Sequence, residues 1–344
     1  MANFQVLSDQ NIPAWDHFVS AHPDSSIYHY SIWGEIWKKA FQKQWHVIGC
    51  VDNGIVKGGV PLVHMHSPWF GNFLVSVPYV NYGGFLVEHE EMVEPLFREV
   101  NKFGDHLGVK YIEFRHLKNF FPDLPMKCEK VSMWLSLPEN AEILFKNFKP
   151  KLRSQIRKGE KNGLTLKRGG LDLLDEFYKV FSQNMRDLGT PVYGKDIFQY
   201  ILQCFPKTSR IIVVRDQTSR PLAAGFLLGH RHRLEIPWAS SLRAYNHLQT
   251  NMFLYWDCLK YACEEGYAVF DFGRSSQGAS TYKFKEQWGA MPVPHFWHYR
   301  LNAGESLPQL NPQSQKFRMA IGIWKRLPLV VANHLGPSVA KHLP

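Results

Sequence analysis

The chain has 344 residues, is 45% hydrophobic and 20% charged, and carries a formal net charge of +10. This composition excludes a disordered chain, and at about 150 residues per domain the length points to two domains. The positive balance points to an anionic partner: a nucleotide diphosphate, RNA or an acidic membrane face.

In chain order, the opening MANFQVLSDQ has no basic stretch followed by an apolar one, so no signal peptide is expected. Val47–Gly54 is a β-rich run with a turn at Asp52, and it continues through Lys57 into the apolar Gly59–Val63, predicting a hairpin. Trp69–Val87 carries no charge and is as long as a membrane span. Its Gly71, Asn72, Pro78, Asn81, Gly83 and Gly84 predict buried strands instead. Leu96–Leu107 has apolar residues at helical spacing and stops at Gly108, and the strand Tyr111-Ile-Glu-Phe follows.

The same order returns about 160 residues later, as a period of internal duplication. Ile211–Thr218 turns at Asp216 and passes Arg220 into Ala223–Leu228. The helix Phe253–Glu265 then stops at Gly266, and the strand Val269-Phe-Asp-Phe follows. Two similar α/β domains explain this, with a boundary near Asn140–Pro150. The division is placed at residues 1–145 and 146–305, with a tail over 306–344. The tail segment Ile321–Pro344 alternates basic and apolar residues, a pattern compatible with peripheral contact with a membrane. Pro328 and Pro337 interrupt it, which favours an ordinary tail. The cysteines Cys50, Cys128, Cys204, Cys258 and Cys263 are scattered without a C-x-x-C pair. They read as reduced cytosolic thiols rather than a disulfide or zinc framework.

Hairpin, loop, helix, strand is the order of a GNAT-like N-acyltransferase fold, α/β (α+β) with mixed sheets flanked by helices. In that fold a glycine-rich loop opens the central helix and binds coenzyme A pyrophosphate through its amides. The matching segment here is Arg243-Ala-Tyr-Asn-His-Leu248. The arginine is present and both glycines are absent, which argues against ordinary acetyl-CoA binding.

The richest segment is Asp271–Ala290, where a strand ends in an acid, a Gly/Ser-rich loop follows, and Tyr282-Lys-Phe-Lys285 alternates rings and cations. Acyl transfer to an amine needs a deprotonated amine, a held carbonyl and positive charge for the oxyanion. Lys285 is the candidate for that charge and Asp271 for orienting the amine or a cation. The bland alternative is a loop cap at Asp271 and surface lysines. Lys146–Arg168 holds nine basic residues and one acid, Glu160. Arg153, Arg157 and Lys161 share one helix face, either as a solvated linker or as a stripe for diphosphate or an RNA backbone. Trp33, Tyr79, Tyr82 and Trp238 are candidates for lining a cleft or for core, Tyr82 favoured by its neighbours Gly83 and Gly84. The pairs His64/His66, His230/His232 and His295/His298 have no third ligand in view, so no metal is expected. No serine-hydrolase or P-loop motif is present.

Asp271–Ala290, with its Asp-Phe-Gly-Arg-Ser opening and Phe-Lys-x-x-Trp-Gly close, resembles the FemAB family of peptidoglycan interpeptide-bridge aminoacyltransferases. Within it, the likeness is to the FemAB-related proteins of exosortase (PEP-CTERM) and exopolysaccharide systems. Tyr30–Gly34, Pro78–Gly84, Lys149–Lys158 and Trp238-Ala-Ser-Ser with Asn246 and Asn251 add to it. The resemblance runs from about residue 25 to 300. It implies two tandem GNAT-like domains, with Lys285 contacting the acyl donor or stabilising the transition state. Tyr282 joins Lys285 and Asp271 as catalytic. Arg274, Ser275, Phe284, Trp238, Asn251, Tyr82, Trp33, Arg153 and Arg157 are assigned to substrate binding.

The expected activity is transfer of an acyl or aminoacyl group to an amine of a cell-envelope or exopolysaccharide precursor. No bound cofactor is expected; aminoacyl-tRNA or an acyl thioester is the donor. The setting is cytoplasmic, at the inner face of the membrane. The competing reading is a catalytically silent protein that binds an anionic glycan or lipid-linked precursor in the same fold.

Overall fold

The computed structural model describes residues 3–308 and 315–343. The chain gathers into two compact units. The first comprises Met1–Lys130, Pro294–Leu310 and Lys341–Pro344, and the second Val131–Val293 and Asn311–Ala340.

The first unit begins with β1 (Asn3–Val6), α1 (Ile12–Ala21), α2 (Ile32–Phe41), β2 (Gln44–Asp52), β3 (Ile55–Ser67), β4 (Gly71–Val75) and β5 (Leu86–Val87). It continues with α3 (Val93–His106), β6 (Tyr111–His116) and β7 (Met126–Lys127). The β2–β3 hairpin closes at Asn53-Gly54, both in the left-handed region (φ 48° and 80°), the geometry that matches strand twist in a two-residue turn. Helix α3 lays Leu96 and Val100 against Ile112 and Phe114 of β6. Each such fully buried side chain is worth about 1.5–3 kcal/mol. The helix ends before Gly108, as its spacing predicts, with φ 61° at that glycine.

The second unit holds β8 (Lys130–Ser136), α4 (Ala141–Asn147), α5 (Pro150–Lys161), β9 (Thr165–Gly169), α6 (Leu174–Leu188) and α7 (Lys195–Cys204). There follow β10 (Ser209–Arg215), β11 (Pro221–His230), β12 (Arg233–Ser241), α8 (Thr250–Glu264), β13 (Val269–Ser276), α9 (Ser280–Glu286) and β14 (Met291–Pro294). The chain then passes through β15 (Phe296–Leu301) to α10 (Gln315–Trp324) and α11 (Leu329–Ala340).

Among the described residues the two sheets share one plan. The first runs β1-β2-β3-β4-β6-β15-β7, with β5 beside β3, and the second runs β9-β10-β11-β12-β13-β8-β14. Each has a parallel junction reached through a helix, β4 with β6 through α3 and β12 with β13 through α8. This is the internal repeat that the two sequence halves predict. The sixth place in each sheet is filled reciprocally. β8, from early in the chain, belongs to the second sheet, and β15, from late in the chain, to the first. The sequence-based division at 145/146 falls inside α4, whereas the compact units divide within β8, at Lys130/Val131.

Trp69–Val87 is only partly strand. Residues 76–85 form a largely buried loop between β4 and β5, and several of its backbone groups bond to β6. Ser76 N–H donates to the Glu113 carbonyl (2.9 Å) and Gly83 N–H to the Arg115 carbonyl (2.9 Å). The buried Arg115 guanidinium donates to the carbonyls of Val77 (3.1 Å) and Val80 (2.9 Å) and to Glu113 Oε1 (2.7 Å), and it lies 4.2 Å over the Trp297 ring.

Among the described residues the tail carries the helices α10 and α11, and its prolines do not prevent the second. Pro328 stands just before α11, where a missing N–H removes no helical bond, and the helix continues through Pro337 near its end. In the second unit Asn333 Nδ2 donates to Ser182 Oγ, and Arg186 Nη1 to the Leu327 carbonyl. No described helix is long and apolar enough to cross a membrane.

Candidate active site in the second unit

Strands β12 and β13 pair through only three parallel rungs, ending at Glu235 opposite Asp271. β12 then runs on to Ser241 and β13 to Ser276 without pairing each other. Diverging strand ends leave space outside their carboxyl termini, the usual place for a ligand in an open α/β sheet.

The divergence starts with a bend. Gly273 adopts φ 74°, and Asp271 Oδ1 accepts its N–H at 2.7 Å. The bend lets the successive carbonyls of Gly273 and Arg274 accept from one group, the Lys285 ammonium, each at 2.9 Å. Lys285 is carried by the short helix α9, whose position is set by rings. Phe284 meets Tyr255 edge-on (5.0 Å) and Trp288 (6.3 Å), and Tyr255 stacks on Phe272 of β13 (5.6 Å).

Lys285 is 6% exposed and Asp271 fully buried. Burial pushes the Lys285 pKa down from 10.5 to about 8, with the Arg274 cation adding to the fall and the Asp271 and Glu235 carboxylates opposing it. Glu235, 4% exposed, was not singled out by sequence. Its signal was one acid inside the apolar strand Leu234-Glu-Ile236. An ammonium has three donors, and two are committed to carbonyls, so one remains for an incoming oxygen. Ser275 Oγ is buried and has no hydrogen-bond partner among the described residues, which marks it as a contact for a ligand or water.

The structure thus brings together Asp271, Ser275, Phe284 and Lys285, with Arg274 exposed beside them. Tyr282 is half-buried and packs on the same core as Phe284. Asn251 is half-buried in the first turn of α8. Trp238 is buried edge-on against Phe198 (5.2 Å) and Phe226 (5.5 Å), so its ring is committed to core. Trp33 and Tyr82 belong to the first unit. Trp33 is fully buried, its indole N–H on the Ile27 carbonyl (2.8 Å) and its ring against Trp37 (4.9 Å). Tyr82 is buried against Tyr28 and His295. Both are core residues of that unit. Paired glycines beside Tyr82 accommodate neighbouring side chains, since a Cβ on Gly84 would lie 2.0 Å from His116.

Arg153, Arg157, Lys158 and Lys161 line a groove of about 520 Å³ along α5 with Pro150 and Ser154. None of the four makes an ion pair with a described residue. Lys167 and Arg168 leave the stripe. Lys167 pairs with Asp172, and Arg168 bridges Asp257 and Glu264 of α8. Arg243–Leu248 forms a 3-10 turn before α8, with Gln249 (φ 64°) at the left-handed position. Among the described residues no three His, Cys, Asp or Glu side chains gather as a metal site.

The acetyltransferase (GNAT) domain family matches residues 146–285, which include Lys285. No curated protein matches the chain in sequence. Among solved structures, FemX is similar at 15% identity and a TM-score of 0.61, covering 85% of this chain and 96% of its own. L-PGS from Bacillus licheniformis is similar at 13% identity and a TM-score of 0.55, over 94% and 99%. The tandem GNAT protein from the clavulanic acid biosynthesis pathway is similar at 11% identity and a TM-score of 0.54, over 89% and 100%. These likenesses are of fold. Both halves of the chain are GNAT-like, each a mixed sheet flanked by helices.

Proposed function

We propose that the chain transfers an acyl or aminoacyl group to an amine of a cell-envelope or exopolysaccharide precursor. The setting is cytoplasmic, in keeping with five scattered cysteines that form no C-x-x-C pair. The observation that carries this reading is the buried Lys285 ammonium, held by two backbone carbonyls where β12 and β13 part. A cation already fixed and desolvated needs no reorganisation when negative charge develops on the acyl oxygen, and it acts there more strongly than in water. Its third N–H is the donor for that oxygen. Asp271 and Glu235 keep Lys285 charged at neutral pH despite its burial. Asp271 also fixes the bend that aims the two carbonyls. The α5 groove supplies cations for the anionic portion of donor or precursor. The 3-10 turn at Arg243–Leu248 has no glycine to let a pyrophosphate approach its amides, so coenzyme A is the least supported donor.

The test is incubation with aminoacyl-tRNA, acyl carrier protein thioester or acyl-CoA and amine-bearing envelope and polysaccharide precursors, with products read by mass spectrometry. A modified amine is expected with one donor class. Saturable precursor binding without product from any donor would favour the silent binding protein.

Two further results are expected. The transfer rate falls about tenfold per pH unit above about pH 8, as Lys285 loses its proton. The sign of its stability contribution is opposite. The folded pKa lies below the unfolded value near 10.5, so the unfolded chain holds the proton longer. The cost of burying the cation is fully present below about pH 8 and is relieved as pH rises from there toward 10.5. A pH–rate profile beside denaturation curves separates lost activity from lost fold. Second, Arg153→Ala with Arg157→Ala raises KM for the anionic substrate about tenfold and flattens its salt dependence, with kcat retained. An unchanged KM across a salt series would make α5 a solvated helix only.

A further inference from the structure

A second basic hollow lies in the first unit, apart from the α5 groove. It has a volume of about 320 Å³ and is lined by the end of α2 and start of β2 (Phe41–Gln44), by His64 and His66 of β3, and by Lys341 and His342. No acid lines it. Lys43 is 8% exposed, and its ammonium makes no hydrogen bond or ion pair with any described residue. That differs from the α5 cations, which extend from an exposed helix face. Its side chain is largely withdrawn from water while its ammonium lines the hollow without a partner among the described residues, and a second cation, Lys341, stands near enough to lower its pKa further.

The rest of the hollow is built rather than loose. Lys43 N–H donates to the Trp37 carbonyl, and Gln42 takes φ 56° to turn the chain off α2. Tyr79 hydroxyl donates to the Lys341 carbonyl at 2.8 Å, and His342 Nδ1 meets the His66 carbonyl at 3.2 Å. Asn72 is oriented by donating its amide to the carbonyls of Leu107 and Gly108, so its oxygen faces His64 Nε2 (2.6 Å) and makes that nitrogen the donor. Those N–H groups are committed within the protein, so the groups the hollow offers a ligand are the ammoniums of Lys43 and Lys341 and the side-chain amides of Gln42 and Gln44. A polyanion with several acceptor oxygens fits that surface better than a single carboxylate.

We propose that this hollow is a phosphate-binding site that takes the phosphoryl or diphosphoryl group of a phosphate ester, with Lys43 as its central cation. The proposal is independent of transfer at Lys285. Its test is binding alone, by calorimetry on the full chain with pyrophosphate and, separately, inorganic phosphate as probes. One saturable site is expected. Lys43→Met weakens it about tenfold or more, the loss of one charge-assisted contact. Arg153→Ala with Arg157→Ala leaves it unchanged. Lys341→Met, at a more open position, gives the same weakening if Lys43→Met does not fold. Phosphatidate vesicles distinguish two sources of the group. Displacement of bound pyrophosphate assigns a lipid headgroup, and failure to displace it assigns a soluble ester. Pyrophosphate binding that is absent, or equally tight in both lysine variants, overturns the proposal.

Discussion

Lys285→Met is expected to lower the transfer rate by about 10²–10³-fold, the effect of removing one preorganised donor from a developing oxyanion. Methionine fills similar volume, so packing of Phe284 and Trp288 around α9 is retained. The carbonyls of Gly273 and Arg274 lose their shared partner, and Asp271 and Glu235 lose their cation. The stability cost is therefore about 1–3 kcal/mol, much less than the global stability of a domain. Lys285→Arg should recover little rate, because the larger planar guanidinium spreads its donors in a fixed fork and does not fit a buried position shaped for a compact ammonium. Single-turnover kinetics beside urea denaturation reads both quantities. Full activity in the methionine variant would remove Lys285 from the chemistry.

The largest stability effect is expected at Arg115→Met. Arg115 and Glu113 are both nearly inaccessible and joined at 2.7 Å. Truncating the guanidinium leaves a buried carboxylate with only the Tyr299 hydroxyl and the Lys127 cation near it, and frees the carbonyls of Val77 and Val80. Breaking such a pair from one side costs about 3–5 kcal/mol. Loop 76–85 should lose order first, since Arg115 satisfies two of its carbonyls, those of Val77 and Val80. Hydrogen exchange at Ser76 and Gly83, beside denaturant melts, checks both parts. Arg115→Met combined with Glu113→Leu should recover part of the loss. If the single variant melts with the parent protein, the pair has no such role.

Local signals were the legible ones. The Asn53-Gly54 hairpin, the helix ends at Gly108 and Gly266, and the Asp271–Ala290 segment all rest on residues within a few positions of each other. Glu235 was not legible, because its meaning depends on a strand partner about 36 residues away in sequence, Asp271, that only the parallel ladder reveals. Ring content does not tell core from groove. Trp33, Tyr82 and Trp238 read as groove candidates, and the fold uses their flat surfaces to fill core. Charge runs have the same ambiguity. Lys167 and Arg168 continue the stripe of α5 in sequence, but the chain turns into β9 and hands them to Asp172, Asp257 and Glu264. The helices of the tail were missed because Pro328 was read as a break rather than as a starting residue.

The reciprocal places of β8 and β15 govern the order in which the protein can mature. During translation, every other strand of the first sheet emerges well before Phe296–Leu301. Until those six residues leave the ribosome, β6 keeps one side unpaired on the newborn chain. The first sheet is thus begun first but completed last, and the second sheet closes on a strand already waiting since residue 136. Neither half is a detachable cassette. A gene cut at the apparent midpoint would separate each sheet from a strand that it needs.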